Sequence, residues 1–272
     1  LFFNRSVKEV RAGAGRRLLW ELVKYAVVMA VLFWLLLGGV RHAGYNWQWY
    51  RVPAYFGSLE GGRLIAGPLI KGLAVTLKIT AISLGLASLI GIVTALFRLS
   101  GSPVARVIAR VYLEVIRNTP LLVQLFFVYF VLSPILEMGR FSSAVLALSL
   151  FEGAYASEIF RAGIVSIDRG QWEAARSSGL SRFQGYRYVI LPQAVRRMLP
   201  PLTSQAISLI KDSALVSTIA IYDLTMRGQA IIADTYLTFE VWFAVAAVYL
   251  LLASILSSVV CVMEKRLRAK IA

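Results

Sequence analysis

Six apolar runs, near residues 22–40, 69–97, 111–133, 142–162, 202–222 and 241–262, dominate this chain of 272 residues. An α-helix needs about 20 residues to cross the hydrocarbon core of a bilayer, and each run reaches that length. Inside a membrane every backbone N–H and C=O must be satisfied within the segment, so spanning runs of this kind form helices. The expected fold is all-α and integral to the membrane, with six transmembrane helices. The second run is overlong and carries Lys71 and Lys78 in its first half, so its start is expected to be interfacial or amphipathic.

Composition narrows the function classes. Hydrophobic residues make up 58% of the chain and its mean hydropathy is +0.71, whereas ordinary globular domains are roughly 45–50% apolar. The formal charge of +15 is scattered between the apolar runs and forms no nucleic-acid patch, so no nucleic-acid partner is expected. The connections fall into two alternating sets, one holding 19 Lys and Arg and the other five. Cytoplasmic loops collect positive charge, which puts both termini and the 163–201 loop inside the cell. The lone Cys261 excludes an intramolecular disulfide, and the lone His42 excludes a histidine-cluster metal site. No paired carboxylates or Ser–His arrangement stand at usable spacing for an enzyme. No Gly-rich Walker sequence occurs either, so the chain has no such cradle for nucleotide phosphates.

The first run has a rival reading as a cleaved export signal, because Arg16-Arg17 precede it and Ala43 and Gly44 follow. Its apolar stretch from Tyr25 to Val40 exceeds the usual 7 to 15 or so residues of such signals, which favours a retained span. After it come Tyr45, Trp47, Trp49, Tyr50 and Tyr55, a composition that suits an interfacial aromatic belt. In the second run Ser83, Ala87, Gly91 and Ala95 recur every four residues and give one helix face little bulk, so another helix can approach closely. The chain reads as residues 1–68 (a cytoplasmic start, an added helix and an exported loop), a core over 69–262, and a basic tail at 263–272.

The 163–201 loop has helix punctuation. Asp168 stands three residues before Gln171, a capping-box-like pair, and Gly179 supplies a C-terminal stop, which predicts a short helix from about Arg169 to Ser178. Glu173 lies in its first turn, where negative charge favours the helix dipole. Ala174 and Ala175 offer a flat patch, and Trp172 and Leu180 serve as apolar anchors. A second amphipathic stretch over Arg182 to Ile190 is expected to end at Pro192, and Pro200-Pro201 to mark entry to the fifth span.

Glu173-Ala174-Ala175, Gly179, Val189 and Leu191-Pro192 are spaced like the loop signature of the permease subunits of bacterial ATP-binding-cassette importers, with Val189 where Ile is usual. The polar amino-acid group of that family is resembled further by Arg117-Asn118-Thr119-Pro120-Leu121-Leu122-Val123-Gln124, with Asn118 where Gly is common. Glu158-Ile159-Phe160-Arg161-Ala162-Gly163 and Lys211-Asp212-Ser213-Ala214-Leu215-Val216-Ser217 match as well. Together these cover about residues 70–262. The resemblance implies a five-helix type I importer core plus one added N-terminal helix, in the bacterial cytoplasmic (inner) membrane. It also implies two copies of an ATPase subunit that bind ATP and Mg, an identical or homologous permease partner, and an extracytoplasmic amino-acid-binding protein. This chain itself would hold no cofactor. Gln171, Glu173, Ala174, Ala175 and Gly179 become the surface of a coupling helix that docks on the ATPase. Residues Ser149 to Tyr155 look most like glutamate/aspartate permeases, while glutamine, arginine and histidine systems share the other motifs.

Lys211 and Asp212 fall near the middle of the predicted fifth span, where insertion scales charge roughly 2.5 to 3.5 kcal/mol per ionised residue. They are expected to face the bundle interior or a polar cavity, with Glu158, Arg117 and the deeper Glu152 as candidate partners. Either Arg117, Glu152, Glu158, Lys211 and Asp212 line or gate a path for a zwitterionic substrate, or they form a salt-bridge network that holds helices in register. Glu158 and Arg161, three apart, can pair locally. Pro120 is expected to kink the third span while Arg117 snorkels to the interface. An ion-coupled carrier or channel that uses these charges without ATP is the alternative.

Overall fold

The computed structural model describes residues 20–31, 34, 45–60 and 62–269, in two units, Leu1–Gln48 and Trp49–Ala272. In the first unit residues 20–31 and 34 are helical, with Lys24 paired to Glu21 at 2.9 Å, and Tyr45 meets Trp47 edge to face. The remainder of the first predicted span, Arg16-Arg17, His42 to Gly44 and the last three residues of the basic tail lie outside the described residues.

The second unit opens with α1 (Val52–Phe56) and an antiparallel hairpin of β1 (Gly57–Glu60) and β2 (Arg63–Ala66), in which Gly57 pairs with Ala66. Then come α2 (Pro68–Leu99), α3 (Pro103–Arg117), α4 (Leu121–Leu136, with a π-helical segment Phe127–Leu132) and α5 (Arg140–Val165). The loop carries α6 (Arg169–Ser177) and α7 (Arg182–Gln184), and a π turn Gly185–Ile190 leads into α8 (Leu191–Asp212). A 3-10 segment Ser213–Ile219 precedes α9 (Leu224–Thr235) and α10 (Thr238–Ala269). Among the described residues α2, α5 and α10 are long and apolar enough to cross a membrane, and α3 with α4 add a fourth if the bent pair counts as one span.

The small-residue ladder does what its spacing predicts. Ser83, Ala87, Gly91 and Ala95 are all buried, and α2 lies directly against α5. A Cβ at Gly91 would stand 2.9 Å from that of Ala156. Ser83 Oγ donates to the Val145 carbonyl at 3.5 Å, and Ser149 Oγ donates to the Val145 carbonyl at 2.6 Å and to that of Ser83 at 3.4 Å. Lipid competes with no such contact, so close van der Waals approach and shared hydroxyls hold the pair. Around it Ile79, Leu125, Leu148, Leu209 and Val216 form the central core. A second cluster, with Leu69, Leu224, Leu237 and Val241, joins the start of α2 to α9 and α10.

Two expected spans differ from their sequence reading. The third does not merely kink: α3 and α4 meet at 105° across Asn118-Thr119-Pro120. Pro120 cannot continue the ladder, and the carbonyls freed at the end of α3 are taken by side chains. Asn118 Nδ2 donates to the Glu114 carbonyl at 2.8 Å, Thr119 Oγ1 to that of Val115 at 2.8 Å, and Gln124 Nε2 to that of Ile116 at 2.7 Å. In a membrane each such group left bare would cost several kcal/mol, so the corner stands only with its polar residues. The fifth helix starts earlier than predicted, and Pro200 and Pro201 lie inside α8 and do not mark its entry. Thr203 and Ser204 hydroxyls bond back to the Leu199 and Pro200 carbonyls at 2.7 and 3.3 Å beside them. Lys211 and Asp212 consequently end α8 instead of lying mid-span.

Candidate functional site

The coupling loop folds as a capped unit. Asp168 Oδ1 accepts from Gly170 N at 2.7 Å and starts α6. At the other end Gly179 N donates to the Arg176 carbonyl at 2.9 Å and Leu180 N to that of Ala175 at 3.1 Å, the two bonds of a Schellman motif. Its left-handed position is filled by Gly179, φ +77°, which has no Cβ to clash. The predicted Asp168–Gln171 pairing is corrected: the reciprocal capping box forms at Ser181 and Gln184. Gln171 is used elsewhere, its Oε1 accepting from Gln193 Nε2 at 3.1 Å.

That contact joins α6 to α8, and others tie the rest of the loop to the π turn and to α8. Trp172 packs edge to face on Tyr186 with ring centres 4.7 Å apart, and Arg197 Nη1 donates to the Ser166 carbonyl at 2.5 Å. Beneath them Ile167, Ile190, Ala194 and Met198 form a local core. Successive helical residues turn by about 100°, so Glu173 and Ala174 point outward while Ala175 is buried facing Gly185, its Cβ 3.7 Å from where a Cβ on Gly185 would be. The flat patch expected from both alanines is therefore reduced to Ala174, and Ala175 is a packing residue. A groove of about 250 Å³ runs between α6 and the π turn, lined by Trp172, Arg176, Leu180 and Tyr186 among others.

The charged residues do not make one network. Glu158 on α5 is held by Arg161 at 2.5 Å and by Arg98 at the end of α2. Arg117 lies over the Tyr155 ring, 5.4 Å from its centre. Glu152 is buried at 1% exposure, with Oε2 accepting from Gln205 Nε2 at 2.6 Å and Oε1 without a partner among the described residues. Lys211 is exposed and Asp212 half-buried at the end of α8. None of the carboxylates or arginines expected to neutralise that pair forms an ion pair with it among the described residues: Glu158 is taken by Arg98 and Arg161, and Glu152 by Gln205. Gln205 and Arg98 were not singled out from the sequence. A lone amide inside the 202–222 apolar run was the available signal for Gln205.

By its family and its structural neighbours, this helical membrane unit with its capped loop helix falls in the class of transport proteins. The chain matches the family described as "Binding-protein-dependent transport system inner membrane component" over residues 87–269 and belongs to it. It is 41% identical over 203 residues to the "Glutamine transport system permease protein GlnP" of Escherichia coli (strain K12), covering 74% of this chain and 93% of that one. With the "Probable glutamine ABC transporter permease protein GlnP" of Bacillus subtilis (strain 168) the identity is 42% over 185 residues, 66% of this chain and 85% of that one. Among solved structures, "Crystal structure of an amino acid ABC transporter with histidines" superposes with a TM-score of 0.69 at 39% identity, covering 73% of this chain and 94% of that one. An inward-facing MetNI methionine ABC transporter shares the fold, with a TM-score of 0.61 at 20% identity.

Proposed function

We propose that this chain is the membrane permease of an ATP-driven importer for a polar amino acid, with glutamine the favoured cargo. The observation that carries the reading is α6, an exposed helix capped at both ends and braced on α8, in a chain whose relatives are glutamine transport permeases. Glutamate or aspartate, suggested by residues 149–155, ranks second because both relatives compared above carry glutamine in their names. Six spans are proposed, the bent α3–α4 pair counted as one, α8 and the first span expected from the sequence (residues 22–40) being added to α2, α5 and α10, with both termini cytoplasmic.

In this reading Glu173 and Ala174 dock on a partner ATPase, which binds and hydrolyses ATP. Gln171 and Gly179 hold the docking helix in shape. Closure of the ATPase pair moves α6, and the Gln171–Gln193, Trp172–Tyr186 and Ser166–Arg197 contacts carry that movement into α8. Further along α8, Gln205 meets the buried Glu152 of α5, so displacement of one helix alters a polar contact deep between two. Asp212 and Lys211 at the end of α8 line the path in which a zwitterion meets opposite charges, whereas Glu158, held by Arg98 and Arg161, and Arg117, over the Tyr155 ring, serve structure. A second permease chain completes the path and a binding protein delivers the amino acid.

Reconstitution with the cognate ATPase and binding protein tests this directly. Uptake of labelled glutamine into proteoliposomes should require ATP on the ATPase side and cease without the ATPase. Uptake by the permease alone would replace the reading with an ion-coupled carrier. Asp212→Asn should lower the uptake rate per folded transporter by about tenfold, the effect of losing one charge contact of about 1.4 kcal/mol. Normal kinetics with reduced folding yield would make Asp212 a structural residue.

A further inference from the structure

A cavity of about 620 Å³ opens where the ends of α2, α3 and α5 meet, lined by Arg98, Arg106, Arg110, Arg117 and Arg161 and by Glu114. Its charges do not cancel. Arg98 and Arg161 are both taken by Glu158, and the Glu114 carboxylate accepts from Asn118 at 2.9 Å. Arg106, Arg110 and Arg117 form no ion pair among the described residues. Arg106 reaches only the Ser102 carbonyl, at 3.5 Å, and the Tyr155 ring orients Arg117 without neutralising it. Like charges gathered at one cavity raise its affinity for an anion, and guanidinium groups match phosphate oxygens in pairs.

The helix that carries these arginines also indicates which anion. Arg106, Arg110, Glu114 and Arg117 recur at helical spacing along one face of α3. Val104, Val107, Ile108, Val111 and Val115 occupy the adjoining face and are all more than half exposed. A soluble anion uses the cavity and leaves that stripe bare. A phospholipid uses both, with phosphate among the arginines and acyl chains along the valines. We infer that this cavity binds the phosphate headgroup of an anionic phospholipid, with α3 as its wall. The inference rests on the membrane topology proposed above, in which the cavity lies at the cytoplasmic side where basic pockets between helices take such headgroups. It does not depend on ATPase docking.

The test uses the full-length purified chain in lipid nanodiscs, with spin-labelled phosphatidylglycerol and phosphatidylcholine compared for association at the protein. The wild type should prefer phosphatidylglycerol by at least about tenfold, and an Arg106→Gln/Arg110→Gln pair should lose that preference. Inorganic phosphate and glutamine at millimolar concentration should displace neither lipid. Equal association of the two lipids with the wild type overturns the inference. Displacement by inorganic phosphate also overturns it, in favour of a soluble-anion site, and displacement by glutamine overturns it in favour of an amino-acid site. If the paired variant does not fold, Arg110→Gln alone must reduce the preference by about fivefold, and an unchanged ratio counts against the site. Because binding is read without an ATPase, a failed docking assignment on α6 leaves this result standing on its own.

Discussion

Glu173→Lys should reduce ATP-driven uptake by at least about 30-fold while the permease stays in the membrane at its normal level. On the proposed docking role, the substitution brings a like charge to an interface built for an acid, and juxtaposed like charges at an interface cost several kcal/mol. The fold has little reason to respond. Glu173 is exposed and enters no ion pair among the described residues. Glu173 is the fifth residue of α6 and so lies past the first turn in which the sequence reading put it, and the helix dipole, which acts within that turn, gives it little to lose. Uptake measured in proteoliposomes, together with membrane-fraction immunoblots and ATPase co-purification, separates the cases. Unchanged uptake would remove Glu173 from the interface, whereas loss of the protein from the membrane would make it a folding residue.

A second large effect is expected at Gly91. Gly91→Leu inserts four carbons where even a single Cβ would come within 2.9 Å of Ala156 Cβ and 3.1 Å of the Ser157 backbone nitrogen. Both neighbours belong to α5, and neither a Cβ nor a main-chain atom can swing aside. The two helices must separate, which breaks the Ser83–Val145 and Ser149–Ser83 contacts as well. Overpacking of this kind costs about 1–3 kcal/mol or more, enough to take a marginally stable protein apart. Size-exclusion profiles and thermal aggregation in detergent should show collapse of the folded yield. Gly85 provides the control, because a Cβ there meets nothing within 4 Å: Gly85→Leu on the same helix should leave the profile intact. If Gly91→Leu behaves like Gly85→Leu, the close α2–α5 approach is wrong.

The two loop caps show how far local sequence reaches. Asp168 and Gly179 bound α6 as expected, because an N-cap acid and a left-handed glycine act within one helical turn on their own backbone. The partner of Gln171 was misjudged for the complementary reason. A capping box and a tertiary hydrogen bond compete for the same amide, and only the return of α8 beside α6 put Gln193 within 3.1 Å. Likewise Ala174 and Ala175 are chemically identical neighbours, and only the packing of the π turn against one face decides which is buried.

The intramembrane charges were legible as residues that need an explanation, since ionised groups in an apolar run are costly whatever the fold. Their partners were not legible. Glu158 found Arg98, 60 residues away in sequence, and Glu152 found Gln205, 53 away. Pro120 announced a break in the third run but not its 105° size, which depends on Asn118, Thr119 and Gln124 capping the freed carbonyls.

Taken alone, the sequence determined that this protein is helical and membrane-bound, where its ladder of small residues would admit a neighbour, and where its loop helix starts and stops. These follow from hydropathy over about 20 residues, from a four-residue repeat and from caps, all local in the chain. The tertiary structure alone decided that α5 fills the ladder, that α6 leans on α8, and that five arginines from three helices share one cavity. Such pairings depend on which helix surfaces meet, a property of the packed bundle that no single stretch of the chain contains.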